Sequence, residues 1–126
     1  MSFLGKHRKN MLDNFVKFSI QHLEIKNKPI VIIQPIRNGL QTMASYAYGN
    51  GCTSVVRVYG KDRLLGDIMR SIAHELVHHK QFEDNLLEQK PEDIGGEIED
   101  NANAIAGQIV KLFANINLDN KKIYEM

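Results

Sequence analysis

The sequence predicts a single α+β domain with a small, mostly antiparallel sheet of three strands. Three stretches carry apolar residues at intervals of three and four, which is the spacing of an amphipathic helix. Three short runs rich in valine, isoleucine, threonine and tyrosine lie between the first and second of these stretches. The predicted order is therefore helix, three strands, helix, helix. A chain of 126 residues can bury one modest core, so we expect residues 1–126 to form one domain.

The first half of the chain holds the N-terminal helix and all three strands. Residues 8–25 follow helical spacing and predict an amphipathic helix. Residues 29–35 are a β-branched run between two prolines, which predicts a strand. Residues 42–49 and 53–60 predict two further strands, and the Asn-Gly-Cys segment between them favours a hairpin.

The second half of the chain predicts two longer helices and a polar tail. Helical spacing runs from Asp62 to about Asn85. A second helical stripe follows Pro91, a residue that suits the first turn of a helix. We expect residues 116–126 to form a flexible tail, and the alternative is a segment that lies across a cleft.

Composition and charge disfavour several classes of function. The formal net charge is +1, which provides little attraction for nucleic acid or an anionic membrane. The only cysteine, Cys52, excludes an internal disulfide bond and a zinc site built from cysteines. The sequence shows no signal peptide and no apolar run that could span a membrane. We therefore expect a cytoplasmic protein that binds neither membranes nor nucleic acid.

The sequence His-Glu-Leu-Val-His at residues 74–78 is the motif with the clearest chemical meaning. His74 and His78 are four residues apart and share one face of a helix, so both imidazoles can bind one metal ion. Glu75 lies about 100° round the helix from His74 and can reach a water activated by that metal. The alternative is a chance occurrence of these three residues on a solvated helix face.

A catalytic zinc site needs a third protein ligand. Histidine is disfavoured, because His79 points about 100° away from His78 and no histidine follows it. Asp84 would match an HExxHxxGxxH pattern with an acidic last ligand, but the glycine that turns the chain back is absent. The third helix offers Glu97 and Glu99. Of these, Glu99 lies at the border of the apolar stripe, from which it can reach the cleft.

The HExxH motif together with the string "EIEDNANAIAG" resembles the gluzincins, zinc peptidases whose third ligand is a glutamate on a later helix. The string is also similar to the E-x-x-A-N-x-x-A segment of ImmA/IrrE-type peptidases. The resemblance covers residues 42–113 and implies a zincin-like fold with one zinc ion per chain. It implies that His74, His78 and Glu99 bind the metal. Asn103, four residues after Glu99, would then support a zinc histidine.

The function that this resemblance implies is hydrolysis of peptide bonds in a peptide or protein substrate. Glu75 would act as the general base. The donor that stabilises the negative charge of the intermediate stays open among Tyr46, Tyr48, Tyr59, Arg57 and His79. Residues 53–60 form either the edge strand that pairs with an extended substrate or an internal strand.

A zincin-fold protein that binds a partner or scaffolds an assembly without cleaving peptide is the alternative function. Glu75 disfavours it, because a purely structural metal site has no use for a general base. A nucleic-acid-binding protein with an accidental HExxH motif is disfavoured by the near-neutral charge.

Overall fold

The computed structural model describes residues 4–36, 44–47, 54–84, 86, 96–116 and 118–125. These residues form an α+β fold with helices on a small three-stranded sheet, which confirms the predicted class. The helices are α1 (Lys6–His22), α2 (Leu65–Glu83), α3 (Glu97–Ala114) and α4 (Leu118–Lys121), followed by a 3₁₀ turn at Lys122–Glu125. The strands are β1 (Ile30–Gln34), β2 (Ala44–Ala47) and β3 (Val55–Tyr59). Pro91, expected to open the third helix, lies outside the described residues.

The sheet is mixed rather than mostly antiparallel. Its strand order is β1-β3-β2. β1 runs parallel to β3, with Ile30 opposite Val55, and β2 runs antiparallel to β3, with Ala44 opposite Val58. The antiparallel pair agrees with the predicted hairpin. The parallel pair was not predicted, because sequence patterns mark where strands occur but not which strands become neighbours.

β3 is the central strand, so the prediction that residues 53–60 form an edge strand for substrate is wrong and the internal alternative is correct. Val56 and Val58 of β3 are fully buried. A buried strand cannot leave its backbone N–H and C=O groups without partners, and here it pairs with a strand on each side.

α1 ends at His22, three residues before the end of the helical pattern. Glu24 adopts a left-handed φ of 56°. The N–H of Ile25 then donates to the carbonyl of Ile20 at 3.1 Å and closes the end of the helix. This type of helix end usually uses glycine at the left-handed position, so a sequence with glutamate there does not reveal it.

α2 is the central element of the core. The side chains on its inner face are fully buried, and they are Leu65, Ile68, Met69, Ile72, Ala73 and Leu76. β2 and β3 contact α2, and so do α1 and α3. Phe15 of α1 and Phe113 of α3 meet edge to face, with ring centroids 5.2 Å apart. α2 is thus held by sheet and helices together, which fixes the direction in which its polar side chains point.

The end of the chain packs against the start of α2. Ile123 is fully buried, and its carbonyl oxygen would lie 3.7 Å from a methyl group added at Gly66. Gly66 precedes His74 by about two helical turns. The contacts of residues 118–125 with α2 therefore lie away from the histidine pair. In the described part of the chain, no helix is long and apolar enough to cross a membrane.

Candidate metal site

The two histidines of α2 converge on one carboxylate of α3. The Nε2 atom of His74 lies 3.1 Å from Glu99 Oε2, and the Nε2 atom of His78 lies 2.9 Å from Glu99 Oε1. The two Nε2 atoms lie 3.1 Å from each other. Three predicted ligands, from two different helices, therefore present their donor atoms to one point.

The spacing of these donor atoms suits a bound metal ion. Ligand atoms held tetrahedrally at 2.0–2.1 Å from zinc lie about 3.3 Å from one another. The separations between His74, His78 and Glu99 are close to that value. The ligand atoms of His74, Glu75 and His78 also lie within 4.8 Å of one another, so this group could hold a metal ion.

The surroundings of His74 favour the neutral imidazole. Burial lowers the pKa of His74 below its ordinary value, and the neighbouring His78 lowers that pKa further. Glu99 and a hydrogen bond with the Asn103 side chain act in the opposite direction but with smaller effect. Since a metal binds the neutral form of histidine, the low pKa of His74 prepares the site for a cation.

Glu75 is buried beside this cluster with an unsatisfied oxygen. Its exposed fraction is 6%, and among the described residues Oε2 has no hydrogen-bond partner. Burial raises the pKa of Glu75 to about 7, His78 partly offsets that shift, and Glu99 adds to it. A buried polar atom without a partner is costly. An ordered water held by a metal next to Glu75 would satisfy this oxygen.

Gln81 orients His78 and was not predicted as a site residue. Its Oε1 atom lies 2.7 Å from Nδ1 of His78, so the imidazole donates Nδ1–H and keeps the Nε2 lone pair for a metal. Its Nε2 atom donates to the carbonyl of Ile98 and to Oδ1 of Asn101, both at 3.1 Å. The sequence signal was the spacing of three residues from His78, which places Gln81 within reach of the imidazole on the same helix.

Asn103 lies beside the other histidine. It is one turn after Glu99 on α3, and its side chain is close enough to His74 to raise the pKa of that imidazole. The structure therefore places Asn103 beside a histidine of the cluster, as the predicted role requires. Its effect on metal binding stays a prediction.

The rival ligands lie elsewhere. Glu97 is exposed at the first residue of α3. Asp84 is exposed at the C-terminal cap of α2, where it pairs with Lys80 at 3.4 Å. As expected, α2 continues past His78 and carries Asp84 away from the histidine pair.

The side chains of His79 and Tyr46 are hydrogen-bonded to each other. Both are therefore poor candidates for stabilising the negative charge of a reaction intermediate. His79 Nε2–H donates to the backbone carbonyl of Asn27, and Nδ1 accepts from the Tyr46 hydroxyl at 2.7 Å. The Tyr46 oxygen also lies 3.1 Å from Ser54 Oγ. The exposed fraction of His79 is only 2%. These bonds tie α2 to β2 and to the segment after α1.

The other predicted donors do not join the cluster. Tyr48 lies outside the described residues. Arg57 is exposed on β3, and Tyr59 is half-buried at the end of the same strand. Within the part of the chain that the structure describes, neither forms a hydrogen bond with His74, His78 or Glu99. The donor for a reaction intermediate thus stays unassigned.

Comparison of the chain with protein-family models, with curated proteins and with solved structures finds no significant match. The resemblance to gluzincins therefore rests on the residues of the sequence motif alone. The zincin-like fold and the peptidase activity remain expectations.

Proposed function

We propose that this protein is a zinc-dependent metallopeptidase that cleaves peptide or protein substrates with Glu75 as the general base. One observation supports the proposal above all others. The donor atoms of His74, His78 and Glu99 meet within 3.1 Å, next to the unpartnered buried oxygen of Glu75. A group of three donors beside a buried carboxylate with a raised pKa is what metal-assisted hydrolysis requires.

Zinc suits the donor set better than magnesium or calcium does. Two imidazole nitrogens and one carboxylate oxygen form the His₂Glu set of catalytic zinc, in which the fourth position stays open for water or substrate. Magnesium and calcium prefer sites made of oxygen atoms alone. When bound, zinc would supply a Lewis acid that polarises a peptide carbonyl and makes a water molecule acidic enough to ionise near neutral pH.

Glu75 would accept a proton at Oε2 and return it to the leaving amine. A general base works best with a pKa near the working pH, and the pKa of Glu75 is about 7. Gln81 would hold the imidazole of His78 in the tautomer that leaves Nε2 free, and Asn103 would support His74.

β2 is the strand best placed for an extended substrate. Among the described strands it lies at the edge of the sheet, next to β3. Tyr46 of β2 bonds to His79 of α2, so the strand runs beside the helix that carries the metal ligands. An extended peptide added to β2 would gain main-chain hydrogen bonds without any change in the fold.

The test combines metal content with hydrolysis. We expect one zinc per purified chain, cleavage of a mixed peptide library by the zinc-loaded protein, and loss of both in His74→Ala. Glu75→Gln should keep the zinc and lose at least about a hundredfold in rate, since an amide cannot accept the proton. Glu97→Gln, an exposed change on α3, serves as the control.

Two results would contradict the proposal. If the purified protein contains no zinc and does not respond to chelator, there is no metal site. Protein that binds zinc but cleaves no member of the library points instead to a binding or scaffolding protein.

A further inference from the structure

Side chains of α2 and α3 face each other at three successive levels, each about one helical turn from the next, which we call steps. The first two steps belong to the metal site. The first places His78 against Glu99, and the second places His74 beside Asn103. One turn earlier on α2 and one turn later on α3, Arg70 faces Gly107. A methyl group added at Gly107 would lie 3.7 Å from Nη2 of Arg70. The guanidinium therefore lies against α3, and the backbone of Arg70 is about one helical turn, or 5.4 Å, from that of His74.

A groove of about 460 Å³ opens along this third step. Asp67 and Arg70 line it on α2, and Asn103 and Lys111 line it on α3. Tyr124 of the 3₁₀ turn lines the end near the start of α2. Asn103, which lines this groove, follows Glu99 by about one helical turn on α3, so the groove begins beside the metal site.

The groove carries an excess of positive charge. Arg70 and Lys111 are exposed, and within the described ranges neither forms an ion pair. Asp67 is the acidic residue that lines the groove, and it is not paired with Arg70 despite their spacing of three residues. An arginine with free N–H groups presents a planar fork that fits the two oxygens of a carboxylate.

We propose that Arg70, assisted by Lys111, binds a carboxylate of the substrate one or two residues beyond the cleaved bond, on the side of the leaving amine. This proposal rests on the proposed peptidase function. An extended peptide advances about 3.3–3.6 Å per residue, so one helical turn between His74 and Arg70 corresponds to one or two residues. The carboxylate belongs either to a free C-terminus or to an acidic side chain in this position.

Binding of three small thiols to the zinc-loaded protein tests the proposal without requiring turnover. The probes are 3-mercaptopropanoyl-alanine, its C-terminal amide, and 3-mercaptopropanoyl-aspartic acid amidated at the C-terminus. The thiol of each probe is a zinc ligand, and only the first and third carry a carboxylate. Isothermal titration calorimetry measures their affinities for the parent, for Arg70→Gln and for the control Lys17→Gln. Lys17 is exposed on α1, outside the groove.

We expect at least one carboxylate probe to bind about tenfold or more tightly than the amide, because a hydrogen bond to a charged group is stronger than one to a neutral group. The advantage should vanish in Arg70→Gln and persist in Lys17→Gln, while both variants keep their zinc. A preference for the first probe identifies a C-terminal carboxylate, and a preference for the third identifies an acidic side chain.

Three results would overturn the proposal. Equal binding of all three probes would show that the groove does not recognise a carboxylate. The proposed peptidase function would be unaffected, because the thiols would still bind the zinc. A carboxylate preference that survives Arg70→Gln places the recognition elsewhere. Failure of every thiol to bind would show that the metal has no open coordination position. That result would contradict both this proposal and the proposed function.

Discussion

Glu97 and Glu99 show how strongly position decides the role of a side chain. They have the same carboxylate and are separated by one residue, which is about 200° round the helix. Glu97 is exposed, whereas Glu99 reaches two histidines of α2. Only a residue at the border between the buried and exposed faces of α3 can both contact α2 and keep one side open to solvent.

Alanine substitutions of these residues should therefore differ in a fixed order. Glu99→Ala should reduce zinc affinity most, because it removes a ligand. Asn103→Ala should reduce it about ten- to a hundredfold, as expected for a residue that orients a metal histidine. Glu97→Ala and Asp84→Ala should have little effect. Competition with a chromogenic chelator measures all four affinities. Loss of zinc in Glu97→Ala with retention in Glu99→Ala would contradict the assignment.

At the scale of elements, the site depends on how α2 and α3 are held together. Gln81 forms one direct link, since a single buried side chain contacts His78 of α2, the Ile98 carbonyl and Asn101. The exposed fraction of Gln81 is 4%. The same amide group therefore orients a predicted metal ligand, His78, and holds the start of the helix that carries Glu99.

Replacement of Gln81 should weaken metal binding although Gln81 is not a ligand. We expect Gln81→Met, which keeps the length of the side chain, to reduce zinc affinity about ten- to a hundredfold. We expect NMR to detect the Nδ1 proton of His78 in the parent, and this proton should exchange faster with water in the variant. Gln21→Met, an exposed change on α1, is the matched control. Unchanged zinc affinity and an unchanged Nδ1 signal in Gln81→Met would show that the link has no effect on the site.

At the scale of the whole molecule, the site makes the metal-free protein less stable than it would otherwise be. Glu75 is buried with an unpartnered oxygen. The Nε2 atoms of His74 and His78 contact a second carboxylate, that of Glu99, at the same place. A cation bound there would stabilise the folded state, because it binds that state and not the unfolded chain.

The contribution of Glu75 to stability should depend on pH. Its pKa rises from 4.5 to about 7 on folding, so the folded protein binds the proton more tightly than the unfolded chain does. Ionisation of the buried carboxylate therefore carries a penalty, which is a decrease in the free energy of unfolding. This penalty is absent below pH 4.5, grows as the pH rises towards 7, and is constant above it. The shift corresponds to a penalty on the order of 3 kcal/mol at most.

Thermal melting with chelator between pH 4 and 8 measures this penalty. The Tm of Glu75→Gln minus that of the parent should increase with pH through this window, because only the parent bears the charge. The exposed Glu97→Gln should show no such trend. Excess zinc should abolish the difference, since a cation favours the charged carboxylate. A difference in Tm that is independent of pH would contradict the assigned environment of Glu75.

Several features could be predicted from local patterns. The helices and strands follow from apolar periodicity, and the pairing of β2 with β3 follows from the short segment between them. His74, Glu75 and His78 could be recognised because helix geometry alone places them together. The divergence of Asp84 follows from the same geometry, since α2 contains no residue that would turn the chain back.

Other features depend on contacts between residues far apart in the chain, which local patterns do not encode. The central place of β3 comes from its pairing with β1. The role of Gln81 and the orientation of Arg70 towards Gly107 require the relative position of α2 and α3. That position is set by the packing of both helices around one core, and packing is a property of the folded chain as a whole.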